Sequence, residues 1–232
     1  FEKINPESRF TGTIGDNGSM TGKWARRTYQ KEVLFNLQEN YKNGSIPLTP
    51  FDYNETQYVV QEGITSKDMP KANIDILLLY PNSSAHTMLK DTIHHYLSVY
   101  ALDTNLISSS PEQLMKSMAH SFFKSYQMTT KGIPNIEGLA ALDWQKKIST
   151  EVLYNDNYIL SLRLTKYAYA GGAHGVSIQN NLVFNLKNNS KVHLKDLLYE
   201  GFEPRLNALI DKKLRKLNGL NKSEKLKEAG FL

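Results

Sequence analysis

The sequence YAGGAHG at residues 169–175 decides the fold of this chain, because an alternating segment lies on each side of it. Between Tyr158 and Tyr169, apolar residues recur at alternate positions, at Leu160, Leu162, Leu164 and Ala168. A second segment shows the same alternation, at Val176, Ile178, Leu182, Phe184 and Leu186. A period of two is typical of half-buried strands, and glycines between two such strands favour a tight turn. The pattern therefore predicts a β-hairpin with His174 at its tip.

The composition is that of an ordinary globular protein, with 232 residues, of which 40% are hydrophobic and 22% charged. No apolar run approaches the length of a membrane-spanning helix. The chain has no cysteine, which excludes disulfides, thiol nucleophiles and thiolate metal sites. The compartment stays open, because an exported lipoprotein whose anchoring cysteine lay upstream would have the same composition.

The formal net charge is +5, and basic residues are concentrated between Arg205 and Lys227. A basic face can attract nucleic acid, anionic lipid or anionic glycan. The simpler interpretation, which we favour, is the solvated side of an amphipathic helix. No nucleic-acid-binding motif accompanies the charge, so we expect no nucleic-acid partner.

The order of elements predicts an α+β fold, with an antiparallel sheet, helices packed on one side of it, and a small β-meander before it. The predicted parts are a partial meander at 1–40, a strand–helix–helix part at 51–130, and an antiparallel sheet with a final helix at 140–232. A polar linker at 40–50 separates the first two parts. The apolar run 74–80 predicts a strand buried on both faces, with Asp75 at its solvent end.

Helix-start signals mark the two helices that follow this strand. Ser83 or Ser84 can cap the first helix, and Ser110 followed by Pro111 opens the second. The final helix is predicted from Glu203 to Leu217, with Gly219 at its end.

The motifs of common active sites are absent from the sequence. His94 and His95 are adjacent on a helix and diverge by about 100°, and there is no His-Glu-x-x-His, so we expect no metal. There is no Gly-x-Ser-x-Gly, and a strand rather than a helix follows Gly171 and Gly172. We therefore expect no catalytic residue and no cofactor.

The predicted binding residues lie at the hairpin tip. They are Tyr167, Tyr169, Gly171, Gly172 and His174. Binding residues often lie on loops, and tyrosine offers a large contact area at low entropic cost. Two structural alternatives remain open: His174 could bond a nearby carbonyl, and the tyrosines could pack across strands.

The glycine-histidine motif, with Phe184-Asn185-Leu186 and the segment 192–198, resembles a C-terminal domain of unknown function in bacterial envelope proteins. Residues 75–126 resemble the domain that usually precedes it. This pair of domains occurs in the ectodomain of a lysozyme-sensing anti-sigma factor, in the non-catalytic part of a peptidoglycan deacetylase, and in predicted lipoproteins of Bacteroidetes type. The resemblance covers about residues 55–230. In that family β-structure follows the last helix, so the C-terminal part is expected to be truncated.

The resemblance implies a non-enzymatic, exported envelope binding module in the periplasm or at the cell surface, held to the membrane only through a lipid anchor. Its partner would be a lysozyme-like, cell-wall-active protein or a peptidoglycan glycan. Lysozymes are usually basic, as is this chain, which favours an anionic glycan or another protein. The alternative is a cell-wall hydrolase or deacetylase-associated enzyme that uses His174. The deacetylase's catalytic domain is absent, so its activity does not carry over.

Overall fold

The computed structural model describes residues 8–15, 18–26, 32–42, 44–59, 69–81, 87–102, 110–133, 139–228 and 230–231. The strands are β1 (Ser8–Ile14), β2 (Ser19–Arg26), β3 (Glu32–Gln38), β4 (Leu48–Tyr58), β5 (Lys71–Pro81), β6 (Trp144–Asp156), β7 (Ile159–Tyr169), β8 (Val176–Asn185) and β9 (Ser190–Lys191). The helices are α1 (Thr87–Leu102), α2 (Pro111–Thr130) and α3 (Glu203–Asn218). Within the described residues, no helix is both long and apolar enough to cross a membrane.

The strands form two sheets, and the predicted α+β fold is confirmed. Strands β1, β2 and β3 make an antiparallel meander, as the sequence predicts. The other six form one sheet in the order β4-β5-β6-β7-β8-β9. The pairing of β7 with β8 runs from Ile159↔Asn185 to Ala168↔Val176, which confirms the predicted hairpin.

The larger sheet is mixed rather than wholly antiparallel, which corrects one detail of the prediction. Strands β5 and β6 pair in parallel, from Ala72↔Trp144 to Leu77↔Ser149. Parallel neighbours need a long crossover connection. Helices α1 and α2 lie in that connection, so the chain crosses from one end of the sheet to the other before it pairs again.

The core lies between one face of the larger sheet and helices α1 and α2. Its fully buried side chains include Tyr80, Tyr126, Phe184, Ile74, Ile76, Leu78, Leu89, Ile93, Leu97, Leu114 and Met118. Strand β5 is buried on this face alone, because its residues alternate between buried and more exposed positions. The prediction that β5 is buried on both faces is therefore wrong. Asp75 is exposed in the middle of the strand rather than at its end, and its register partners are Asn54 on β4 and Lys147 on β6.

The predicted linker at 40–50 overlaps the start of β4, which begins at Leu48. Just before that strand, Ile46 is buried, and its backbone is bound by the Asn155 side chain. The Ile46 N–H donates to Asn155 Oδ1 at 3.1 Å, and Asn155 Nδ2 donates to the Ile46 carbonyl at 2.7 Å. Tyr158 N also donates to the Gly44 carbonyl at 2.8 Å. The chain that enters β4 is thus attached to the β6–β7 hairpin.

The helix-end predictions are confirmed where the structure describes them. The Ser110 side chain accepts from Gln113 N at the start of α2, and Pro111 is the first helical residue. Gly219 ends α3 with a φ of 66°, in the left-handed region. The predicted caps of α1, Ser83 and Ser84, lie outside the described residues. None of the residues of α3 is buried, and Leu209 and Leu217 on its apolar side are exposed.

Candidate functional site

The tip between β7 and β8 is a turn that requires glycine. Gly171 and Gly172 have φ values of 90° and 93°, a region that favours residues without a Cβ atom. A Cβ atom on Gly171 would also lie 3.0 Å from the Ala141 carbonyl oxygen, in the short 3-10 helix 140–142. The turn therefore sits against the segment that leads into β6.

The two tyrosines of the predicted site contact the backbone of the turn. Tyr169 donates from its hydroxyl to the Gly172 carbonyl at 3.0 Å. The Tyr167 ring lies over Gly175, so closely that a Cβ atom there would overlap the ring. Both side chains are partly buried. Their observed contacts hold the loop backbone, and a role in recognition remains a prediction for them.

His174 projects from this supported turn and is exposed, as are Gly172 and Ala173. In the part of the chain that the structure describes, its imidazole forms neither a hydrogen bond nor an ion pair. The carbonyl contact considered as an alternative for His174 is therefore not formed there. The arrangement offers an imidazole donor and acceptor to a partner in solution. The assignment of the five tip residues to a binding site remains a prediction.

A second polar site, which was not predicted from the sequence, lies between β4 and α2. We call it the α2 cleft, and its volume is 420 Å³. Its residues come from two facing walls: Tyr53, Glu55 and Gln57 on β4, and Lys116, His120 and Lys124 on α2. The sequence does contain both patterns, because the three strand residues lie at alternate positions and the three helix residues recur at every fourth position. Nothing in the sequence showed that these two faces meet.

Hydrogen bonds order the strand wall of the α2 cleft. The Tyr53 hydroxyl donates to Glu55 Oε2, and Gln57 Nε2 donates to Glu55 Oε1 at 2.8 Å. Gln127 on α2 then donates to Gln57 Oε1 at 3.2 Å, which ties the helix to the strand. The Tyr53 hydrogen bond, followed by that of Gln57, lowers the pKa of Glu55. The pKa of Tyr53 is raised, chiefly by the same bond. Glu55 is therefore held as a carboxylate.

Among the described residues, His94 and His95 on α1 form no comparable site. Tyr80 is buried in the core, and its hydroxyl lies 3.0 Å from His94 Nδ1, so this pair belongs to the packing of α1 on the sheet. His95 is exposed on α1, with its ring edge-on to Tyr96. Nowhere in the described ranges do three histidine, aspartate or glutamate side chains converge as metal ligands would.

Comparison with known proteins relates the chain to two groups. Residues 66–177, slightly less than half of the chain, match the model of the family described as Deacetylase PdaC. The matched range includes β5, α1, α2, β6, β7 and the glycine turn. No curated protein matches the chain.

Two solved structures align with about three quarters or more of this chain. A member of the DUF3298 family from Bacteroides fragilis has a TM-score of 0.59 at 23% identity, over 80% of this chain and 74% of that one. A DUF3298 family protein from Pseudomonas aeruginosa has a TM-score of 0.47 at 16% identity, over 76% and 70% of the two chains. The first likeness shows a shared fold. The family match and this shared fold confirm the predicted resemblance to a domain of unknown function that accompanies deacetylases.

Proposed function

We propose that this protein is a non-enzymatic, exported binding module of a bacterial envelope, and that its glycine turn recognises a cell-wall component. The observation that carries the proposal is the exposed His174 on a turn supported by Tyr167 and Tyr169. A loop that is already ordered loses little conformational entropy when it binds. The resemblance to the non-catalytic part of a peptidoglycan deacetylase, together with the match of residues 66–177 to a family described as a deacetylase, supports a partner from the cell wall.

A cell-wall glycan fits the charge of this protein better than a lysozyme-like partner does. The chain carries a net charge of +5. Two basic proteins repel each other during diffusional encounter, whereas an anionic polymer is attracted. We therefore take peptidoglycan as the first candidate and a lysozyme-like protein as the second. Attachment to the membrane would be through a lipid anchor.

A catalytic use of His174 is the competing hypothesis. A general base or acid works best when a second group orients it and when the reacting atom is within hydrogen-bond reach. The imidazole of His174 stands in solvent, and no described carboxylate is bonded to it. This geometry favours a contact residue over an acid or base, so we propose binding without turnover.

Sedimentation of the protein with purified peptidoglycan tests the proposal. We expect the wild type to sediment, and the bound fraction to fall at high salt because part of the attraction is electrostatic. His174→Ala should reduce binding about tenfold, since it removes a contact at the centre of the turn. His95→Ala, an exposed histidine on α1, is the matched control and should bind as the wild type does.

Three results would contradict the proposal. Full binding by His174→Ala would move the site away from the turn. Binding of lysozyme but not of peptidoglycan would reverse the order of the two partners. Release of soluble sugar from peptidoglycan by the wild type, and its loss in His174→Ala, would establish the enzymatic alternative.

A further inference from the structure

We propose that the α2 cleft is a second binding site, and that it takes a carboxylate-bearing saccharide. The cleft lies at the β4 edge of the sheet, and the glycine turn lies at the end of β7 and β8. Four strand spacings separate β4 from β8, which is about 19 Å across the sheet. The site is independent of the role proposed for the turn.

The helix wall supplies positive charge. Lys116, His120 and Lys124 follow one another at intervals of four, so they share one face of α2 over about 12 Å. All three are exposed. Lys116 interacts electrostatically with Glu112, one helical turn earlier. Lys124 forms no ion pair within the described residues. Two ammonium groups on one wall suit a carboxylate, which accepts charge-assisted hydrogen bonds.

The strand wall supplies hydrogen-bond acceptors. Glu55 is ionised, and its two oxygens are held by Tyr53 and Gln57 rather than by the lysines across the cleft. A carboxylate has about four lone-pair sites, so roughly two remain for a ligand. Only hydrogen-bond donors can use them. The two walls are therefore complementary to a ligand that has hydrogen-bond donors on one side and an anionic group on the other.

A sugar acid meets both requirements. Its hydroxyl groups would donate to Glu55, and its carboxylate would accept from Lys116 and Lys124. The cleft volume of 420 Å³ falls within the range of about 300–1,000 Å³ that is usual for small-molecule sites. The partly exposed Tyr53 ring adds apolar surface for the C–H face of a sugar ring, whereas Phe123, which also lines the cleft, is buried. A simple anion would be repelled by Glu55, and a neutral sugar would leave the lysines unused.

Titration of the folded protein with digalacturonic acid tests this site, with chemical shifts as the measurement. We expect saturable shifts on β4 and α2 at millimolar concentrations. The dimethyl ester keeps every ring hydroxyl and loses the charge, so it should bind about tenfold more weakly. Inorganic phosphate and the dipeptide Asp-Asp should bind more weakly than digalacturonate.

Two variants locate the site. The double change Lys116→Met and Lys124→Met should weaken digalacturonate binding about tenfold, whereas Lys131→Met, at the end of α2 and outside the cleft, should have no effect. Glu55→Gln should also weaken binding, because it removes one charged acceptor. At a simple anion site the same change would strengthen binding.

Each other result overturns the inference. No saturable shift, equal binding of the ester, or full binding by the lysine double variant would exclude the site. Phosphate as tight as digalacturonate, together with tighter binding by Glu55→Gln, would identify a plain anion site. Tighter binding of Asp-Asp would identify a peptide site. The probe is soluble and distinct from peptidoglycan, so failure here leaves the test of His174 unaffected.

Discussion

At the scale of single residues, the most unusual group is the hydroxyl of Tyr126. This side chain is 1% exposed, and its ring packs against Trp144 at a centroid distance of 5.4 Å. Neither the Tyr126 hydroxyl nor Trp144 Nε1 has a hydrogen-bond partner among the described residues. Burial, with a smaller contribution from Asp143, raises the pKa of Tyr126 from 10.0 to about 12. An unpaired buried hydroxyl contributes little stability and resists ionisation.

Tyr126→Phe should therefore leave the free energy of unfolding unchanged at neutral pH, or raise it by up to about 1 kcal/mol. Between pH 10.0 and about 12 the unfolded tyrosine has lost its proton while the folded one keeps it, so the wild type loses stability as the pH rises. The variant should lose less over that window. Urea unfolding at neutral and alkaline pH measures both effects, with the exposed Tyr199→Phe as control. A loss of about 2 kcal/mol at neutral pH would mean that the hydroxyl is hydrogen-bonded in solution.

At the scale of elements, the entry to β4 depends on one amide side chain. Asn155, at the end of β6, satisfies both the N–H and the carbonyl of buried Ile46. Buried backbone groups that lose their partners are costly. This contact fixes the segment that leads into β4, whereas β4 itself is positioned by its pairing with β5 along Leu48–Tyr58.

Asn155→Ala should lower the free energy of unfolding by about 1–3 kcal/mol, because two backbone groups of Ile46 lose their partner. Asn181→Ala, on an exposed position of β8, is the matched control and should change stability by about 0.5 kcal/mol or less. Chemical denaturation of both variants gives the comparison. Equal stability of the two variants would show that water replaces the amide without cost.

The elements that the sequence predicted well are those with local signals. Alternation and glycines marked the β7–β8 hairpin, and Ser110 with Pro111 marked the start of α2. The parallel pairing of β5 with β6 has no local signal, because it depends on the path of the intervening helices. The role of Asn155 was hidden for the same reason, since its partner is 109 residues away. The α2 cleft required knowledge of which helix face meets which strand.

At the scale of the whole molecule, burial is concentrated in the six-stranded sheet and helices α1 and α2. No residue with described burial in strands β1 to β3 is buried, and the same holds for α3. A small sheet without a buried face is only marginally stable. Regions with few buried apolar contacts open at low free energy.

Hydrogen exchange should therefore divide the protein into two groups of amides. Those of β5, β6, β7 and α2 should exchange most slowly, at rates set by global unfolding. Those of the meander and α3 should exchange much faster. Mass-spectrometric exchange with peptide resolution measures this difference. Protection of α3 equal to that of β5 would show that its exposed leucines are covered in solution.

The Asn155–Ile46 contact also bears on the time course of folding. Ile46 and Asn155 are 109 residues apart, so the chain between them forms a long loop, and closing it is entropically unfavourable until the intervening segments are compact. The Asn155–Ile46 hydrogen bonds should therefore form after the folding transition state. Asn155→Ala would then leave the refolding rate nearly unchanged and speed unfolding. The segment that leads into β4 would then become attached to the β6–β7 hairpin only after the strands of the larger sheet have paired.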